Sequence, residues 1–334
     1  FDFKPEGVFQ HLMSMTWTET SALFWTESLS RILLDPTNTK SNFYKAFIVN
    51  TDFISHTGGE EKLMSYLKEL DRRLKKLKKN FEEQYDRPIE FIIVSDHGNF
   101  YEKPKAIDFE KSLSQKGFNL KSSLKEKTDY AFVASEIISF GAFYALKGEE
   151  KNLARAFSKV KNVHVAMIDE GQNTIHVFSS TGESRITIDP TKKTVSYKVL
   201  KGKDPFDQIG LFSKQKILGF DDYFYRTLDL AYPNALVRAW EAFYKNAGTP
   251  GTVLVSPQLG HVFTNPTLEL LTALSGVHSS HGSFASEETK GMVLSTIPLK
   301  KEAITPFEFQ DLLKTTLNYK QGDAAVAWQT LTTW

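Results

Sequence analysis

Two short apolar runs on either side of one long amphipathic segment constrain this chain more than any other feature. Tyr44–Val49 (YKAFIV) and Glu90–Ser95 (EFIIVS) are almost continuously apolar, as expected of strands covered on both faces. Between them a helix is predicted from about Glu60 to Gln84, with Leu63, Leu67, Leu70, Leu74, Leu77 and Phe81 stepping by four and three. That spacing aligns them in one stripe, which is expected to pack on a sheet. Strand, helix and strand together read as a right-handed crossover in a parallel sheet. The basic run Arg72–Lys79 lies on the polar side of this helix among acidic neighbours, so a solvated face is expected there.

The remaining pattern is mostly of the same kind. Thr18–Ser21 offers an N-cap to a helix through Ala22, Leu23, Leu29, Ile32 and Leu33, ending at Pro36. NTDFISHTGG (50–59) reads as a loop, and residues 129–160 as helical. Between Val163 and Val199 the character changes to four alternating segments, VHVAMID, TIHVFSS, SRITID and TVSYKVL, separated by turn residues. An antiparallel meander is expected there. A helix near Asn234–Asn246, a strand at 252–256, a helix at 266–274, a strand at 291–296 and a last helix at about 306–317 follow. The expected architecture is one α/β domain over residues 1–334 with a mainly parallel sheet. Residues 163–206, including the loop KGKDPF, form a small antiparallel insertion placed to cap a site.

Composition then removes several chemistries. There is no cysteine, which excludes disulfides, thiolate zinc sites, iron–sulfur clusters and cysteine nucleophiles. The 41 basic and 40 acidic residues give a formal charge of +1, so no global field recruits nucleic acid, and none is expected as a partner. No apolar run reaches the length of a membrane span. The chain begins at Phe1 without a methionine, from which upstream residues are expected to be missing or removed; removal would favour a periplasmic or other extracytoplasmic location.

In open α/β sheets, ligands bind beyond the carboxyl ends of strands. Asp52 and His56 follow the first predicted strand, and Asp96 and His97 follow the second. His278 and His281 lie in the Gly- and Ser-rich stretch GVHSSHGSF, before the strand at 291–296, and His261 follows the strand at 252–256. His11 has no such context, while His164 and His176 sit within the meander and read as solvent-facing. Without thiols, a cluster of Asp and His is what a divalent cation such as Zn²⁺ or Mn²⁺ would use. A turn at Gly98 would let adjacent Asp96 and His97 face one ion.

NTDFISHTGG, VSDHGN and HSSHGS resemble, in that order, the metal-binding segments of the alkaline phosphatase superfamily. The nearest local similarity is to the cofactor-independent phosphoglycerate mutases, in the Asp-x-x-x-His-Thr-Gly of Asp52–Gly58 and the Asp-His-Gly-Asn of Asp96–Asn99. The likeness covers about residues 20–100 and 250–300. It implies a three-layer α/β/α sandwich with two divalent metal ions, zinc first and manganese or magnesium as alternatives. It further implies that Asp52, His56 and His281 hold one ion and that Asp96 and His97 help hold the other. His281 is preferred to His278 because the family pattern is His-Gly; His278 then stands behind the ligands or is simply a loop residue, and His261, by its position after the strand at 252–256, is a weaker candidate behind them. The implied activity is metal-dependent hydrolysis or transfer of a phosphate ester, as in a phosphatase or phosphodiesterase.

The chain departs from the family in one respect. Family members carry a further Asp and a Ser or Thr nucleophile well upstream, but only 51 residues precede Asp52 here. Thr16, Thr18, Thr20 and Ser21 precede a helix without a preceding buried strand, and helix capping accounts for them. The catalytic residue is therefore not assigned, and the nucleophile-bearing part is expected upstream of Phe1 or on a partner chain. The alternative expectation is a catalytically silent relative with a binding or structural role.

Overall fold

The computed structural model describes residues 27, 29–35, 44, 46, 48, 50–132, 139–245, 250–263, 276–299, 301–305, 308–309 and 311–313. The chain is mixed α/β. In chain order the principal elements are α1 (Asn50–Tyr85), β1 (Ile92–Val94), β2 (Lys105–Ala106), α2 (Phe109–Ser114), β3 (Asn119–Leu120), β4 (Asp129–Phe132), β5 (Gly141–Ala145) and α3 (Glu150–Phe157). They continue with β6 (Val163–Gly171), β7 (Thr174–Phe178), β8 (Gly182–Asp189), β9 (Thr194–Gly202), β10 (Ile217–Gly219), α4 (Phe220–Thr227) and α5 (Ala235–Tyr244). The last are β11 (Val253–Pro257), β12 (His261–Val262), α6 (Ser286–Thr289) and β13 (Val293–Ser295). Two compact units divide these: residues 1–94 with 293–334, and residues 95–292. Among the described residues no helix is long and apolar enough to cross a membrane.

In the first unit α1 is two helices joined at a kink, because Gly59 adopts φ 70°, ψ −172°, a region open essentially to glycine alone. The segment 50–58, expected as a loop, is thus a helix of its own. Thr57 Oγ1 donates to the Phe53 carbonyl at 2.9 Å within it. Beyond the kink the leucine stripe forms as predicted, with Leu70, Leu77 and Phe81 buried. Its partners differ from expectation. Leu77 and Phe81 pack with Leu33, Leu29 and Leu34 of the preceding helical residues and with Ile89 and Phe91, where a sheet was expected. The basic run lies on the solvated side, where Arg72 and Arg73 bond Glu69 at 2.7 and 2.6 Å and Lys75 bonds Asp71 at 2.7 Å.

The strand expected at Glu90–Ser95 is present as β1, yet it pairs antiparallel with β13 in a two-stranded ribbon. Val94 and Leu294 on that ribbon are exposed. The predicted parallel crossover is therefore corrected. Of the strand expected at 44–49, residues 44, 46 and 48 are described, and none of these lies in a strand.

The second unit is built on a nine-stranded sheet of order β10-β9-β8-β7-β6-β11-β5-β4-β3. Of its neighbouring pairs, β3–β4 is parallel and the others are antiparallel. The expectation of a mainly parallel sheet is corrected here: consecutive strands joined by tight turns pair antiparallel. The meander at 163–199 forms as predicted, but β6 continues through β11 into β5, so these strands are the body of the sheet rather than an appended cap. Residues read as helical at 129–145 are instead β4 and β5 where described, and the helix is confined to α3.

Alternation along the strands divides the burial between two faces. Val165 and Met167 of β6 join Ile175, Val177, Leu236 and Trp240 in one core. Ala166 and Ile168 of the same strand join Phe143, Leu153, Phe157 and Val255 in the other. Phe143 is the hub of the second core, with its ring 4.2 Å from Phe157 and 4.7 Å from Phe132. The helix expected near 234–246 and the strand at 252–256 are found as α5 and β11. The helix expected at 266–274 lies outside the described residues, as do His11 and Thr18–Ser21. Residues 27, 29–34, 308–309 and 311–313, which fall in or beside the first and last predicted helices, are helical.

Candidate metal centre

In the first unit, Asp52 and His56 stand one helical turn apart, so the Asp-x-x-x-His spacing read as a loop motif is an i, i+4 pair on one face. His56 is buried beside Ile54 and Ser55. Its Nε2 lies 3.5 Å from Asp52 Oδ1. Tetrahedral zinc with bonds near 2.0–2.1 Å separates adjacent ligand atoms by about 3.3 Å. The pair therefore fits two neighbouring vertices of such a site.

In the second unit, Asp96 and His97 follow the end of β1, as the sequence indicated, and His97 Nε2 stands 3.6 Å from Asp96 Oδ1. His97 Nδ1 lies 3.0 Å from the Gly98 carbonyl. Donation from Nδ1 fixes the ring and leaves the lone pair on Nε2, on the side of Asp96, the arrangement metal-bound histidines use. Gly98 serves this site differently from the turn expected of it. A Cβ there would fall 2.3 Å from the Glu287 carbonyl oxygen and 2.6 Å from that of Lys290, so only glycine lets the two backbones approach.

His281 reaches the same place through strand pairing. Phe100 and Ser280 form an antiparallel bridge, with N–H···O distances of 2.9 and 3.1 Å. The bridge brings the segment after His97 beside the segment before Gly282. The His97 and His281 rings stack with centroids 3.8 Å apart and an interplanar angle of 17°. His281 is half-buried while His278 is exposed. His261 is on β12, in register with Lys105, and its Nδ1 lies 3.2 Å from the Leu259 carbonyl. Five candidate ligands are thus gathered as two Asp–His pairs and one His–His stack, each within its own unit.

Two other histidines differ from expectation. His164 and His176 were read as solvent-facing, but β6, which carries His164, contributes residues to both cores, and His176 on β7 is 3% exposed. The His176 ring is buried on Phe178 at 4.1 Å, with Nδ1 2.8 Å from Glu170 Oε1 and Nε2 3.1 Å from Glu183 Oε2. His164 stacks on Tyr232 at 4.3 Å, and its Nε2 donates to the Pro205 carbonyl at 2.9 Å. Burial holds its pKa down at about 4, against the smaller opposing effect of that hydrogen bond. Sequence reasoning also missed Glu288, a buried carboxylate in the segment SEET. Nothing in the local pattern distinguishes it from an exposed helix-start glutamate.

Comparison with models of known protein families, with curated proteins and with solved structures found no match to this chain.

Proposed function

We propose that this protein binds divalent cations and hydrolyses or transfers phosphate esters, in the manner of a phosphatase or phosphodiesterase of the alkaline phosphatase superfamily. Asp52 and His56 are proposed ligands of one ion, Asp96 and His97 contribute to a second, and His281 is the fifth proposed ligand. The observation that carries this reading is the separation of ligand atoms within both Asp–His pairs, 3.5 and 3.6 Å, close to the edge of a zinc coordination tetrahedron. Zinc is the first choice for a donor set of imidazole and carboxylate, with manganese or magnesium next. The chemistry such ions supply when bound is charge stabilisation of attacking and leaving oxygens and a lowered pKa of coordinated water. The chain's own residues supply orientation: the Gly98 carbonyl sets the His97 tautomer, and helical spacing sets Asp52 against His56.

A three-layer α/β/α packing belongs to the same proposal. The division of β6 between two cores supports it for residues 95–292, while the antiparallel order of the sheet weighs against a mainly parallel version. The reading assigns metal ligands and no nucleophile.

Assays with p-nitrophenyl phosphate and bis-p-nitrophenyl phosphate, with and without added Zn²⁺ or Mn²⁺, test the activity. Metal-dependent release of p-nitrophenol that falls at least ~100-fold in His97→Ala is expected. A protein that binds metal yet is inert on both esters would favour the catalytically silent alternative.

A further inference from the structure

Outside the proposed ligands, one buried charged group is tied directly to the segment that carries His281. Glu288 on α6 is 1% exposed. Its Oε1 accepts from Ser280 Oγ at 2.8 Å and from Ser139 Oγ at 3.2 Å, and its Oε2 accepts from the Ser283 backbone N–H at 2.8 Å. A buried carboxylate persists only when donors replace its water, and all three donors here come from serines that are themselves buried. Two of them, Ser280 and Ser283, flank the His281–Gly282 pair. The third, Ser139, also donates its backbone N–H to the His281 carbonyl at 2.7 Å.

The far side of the segment is held too. Arg238 donates to the Ser283 carbonyl at 3.2 Å and to Thr289 Oγ1 at 2.7 Å, with its guanidinium 5.2 Å from the Phe284 ring centroid. The Phe100–Ser280 bridge closes the remaining side. The backbone on both sides of His281 is therefore fixed, while its imidazole lies on the ring of His97.

The geometry points to Glu288 as the positioning residue of the metal centre: its buried carboxylate fixes the Ser280–Ser283 segment so that His281 is held in place to bind a cation. This rests on the metal-binding reading above. Glu288 touches neither ligand ring, so its effect is on preorganisation, and outer residues of this kind typically alter metal affinity 10–100-fold.

The test is Zn²⁺ affinity of the full chain by competition with a chromogenic chelator, alongside amide hydrogen exchange of residues 278–283 in the metal-free protein. Glu288→Ala is expected to weaken Zn²⁺ binding by roughly 10–100-fold and to speed exchange at the Ser283 amide. Glu288→Gln, whose amide can still accept from Ser283 and donate to a serine hydroxyl, is expected to restore most of the affinity. If Glu288→Ala does not fold, Ser280→Ala removes one hydroxyl and is expected to weaken Zn²⁺ binding in the same direction. Parent-like Zn²⁺ affinity in folded Glu288→Ala, or in Ser280→Ala where Glu288→Ala does not fold, would overturn the role of Glu288 and leave the metal site standing. A parent chain that binds no Zn²⁺ would overturn the metal reading and this inference with it.

Discussion

His164 shows how placement decides a side chain's chemistry. On a solvated strand it would titrate near neutrality. Inside the sheet, desolvation holds its pKa at about 4. The unfolded chain takes up a proton near pH 6.5 that the folded chain refuses. The associated stability is complete above pH 6.5 and is lost as the pH falls from there through about 4. The difference is on the order of 3 kcal/mol. Urea unfolding at pH 7.5 and pH 4.5 is expected to show this loss, and His164→Gln is expected to reduce it. An unchanged pH profile in the variant would place the sensitivity elsewhere. Asp52 and His56 show placement acting through spacing. A helical spacing of one turn accounts for their proximity without any strand end, so the motif was legible while its local structure was not. Asp96 and His97 were legible in both respects, since β1 ends where its apolar run ends.

At the scale of elements, Gly59 separates the turn that carries Asp52 and His56 from the long leucine-striped helix. Its φ of 70° with ψ of −172° is costly for any other residue, so Gly59→Ala is expected to destabilise the protein by roughly 1–3 kcal/mol. The loss would appear as a lower urea midpoint with little change in slope. An unaffected midpoint would mean that the kink is not required. The Gly58-Gly59 dipeptide also explains why residues 50–59 read as a loop: glycine pairs signal turns, and here they signal a break between two helices. The meander was readable because polar and apolar residues alternate from Val163 onward and turn residues punctuate them. The segment 129–145 was not. Its aromatic and small apolar residues match helical and strand periods about equally over so short a run, and tertiary pairing of β4 and β5 settled the matter. Strand orientation was likewise invisible, because an apolar run does not state which strand it will join.

For the molecule as a whole, few side chains remain that could hold a metal ion. A chain without cysteine and with balanced charge has Asp, Glu and His left for metal chemistry. Of the histidines, those in the meander are committed to burial beside aromatic rings and carboxylates. Those at 56 and 97 stand 3.5 and 3.6 Å from a carboxylate oxygen, and that at 281 stacks on His97. Glu288 adds a network that no local pattern announces, since its three donors come from positions 139, 280 and 283 and meet only in the folded chain. Divalent-cation binding is proposed for the two Asp–His pairs. It is tested most directly by the metal stoichiometry of the intact protein, measured by native mass spectrometry after Zn²⁺ loading and gel filtration. Two bound ions are expected in the parent, with the loss of an ion in both the Asp52→Ala/His56→Ala and the Asp96→Ala/His97→Ala double variants. A parent that retains no ion, or double variants that retain the parent's stoichiometry, would contradict it.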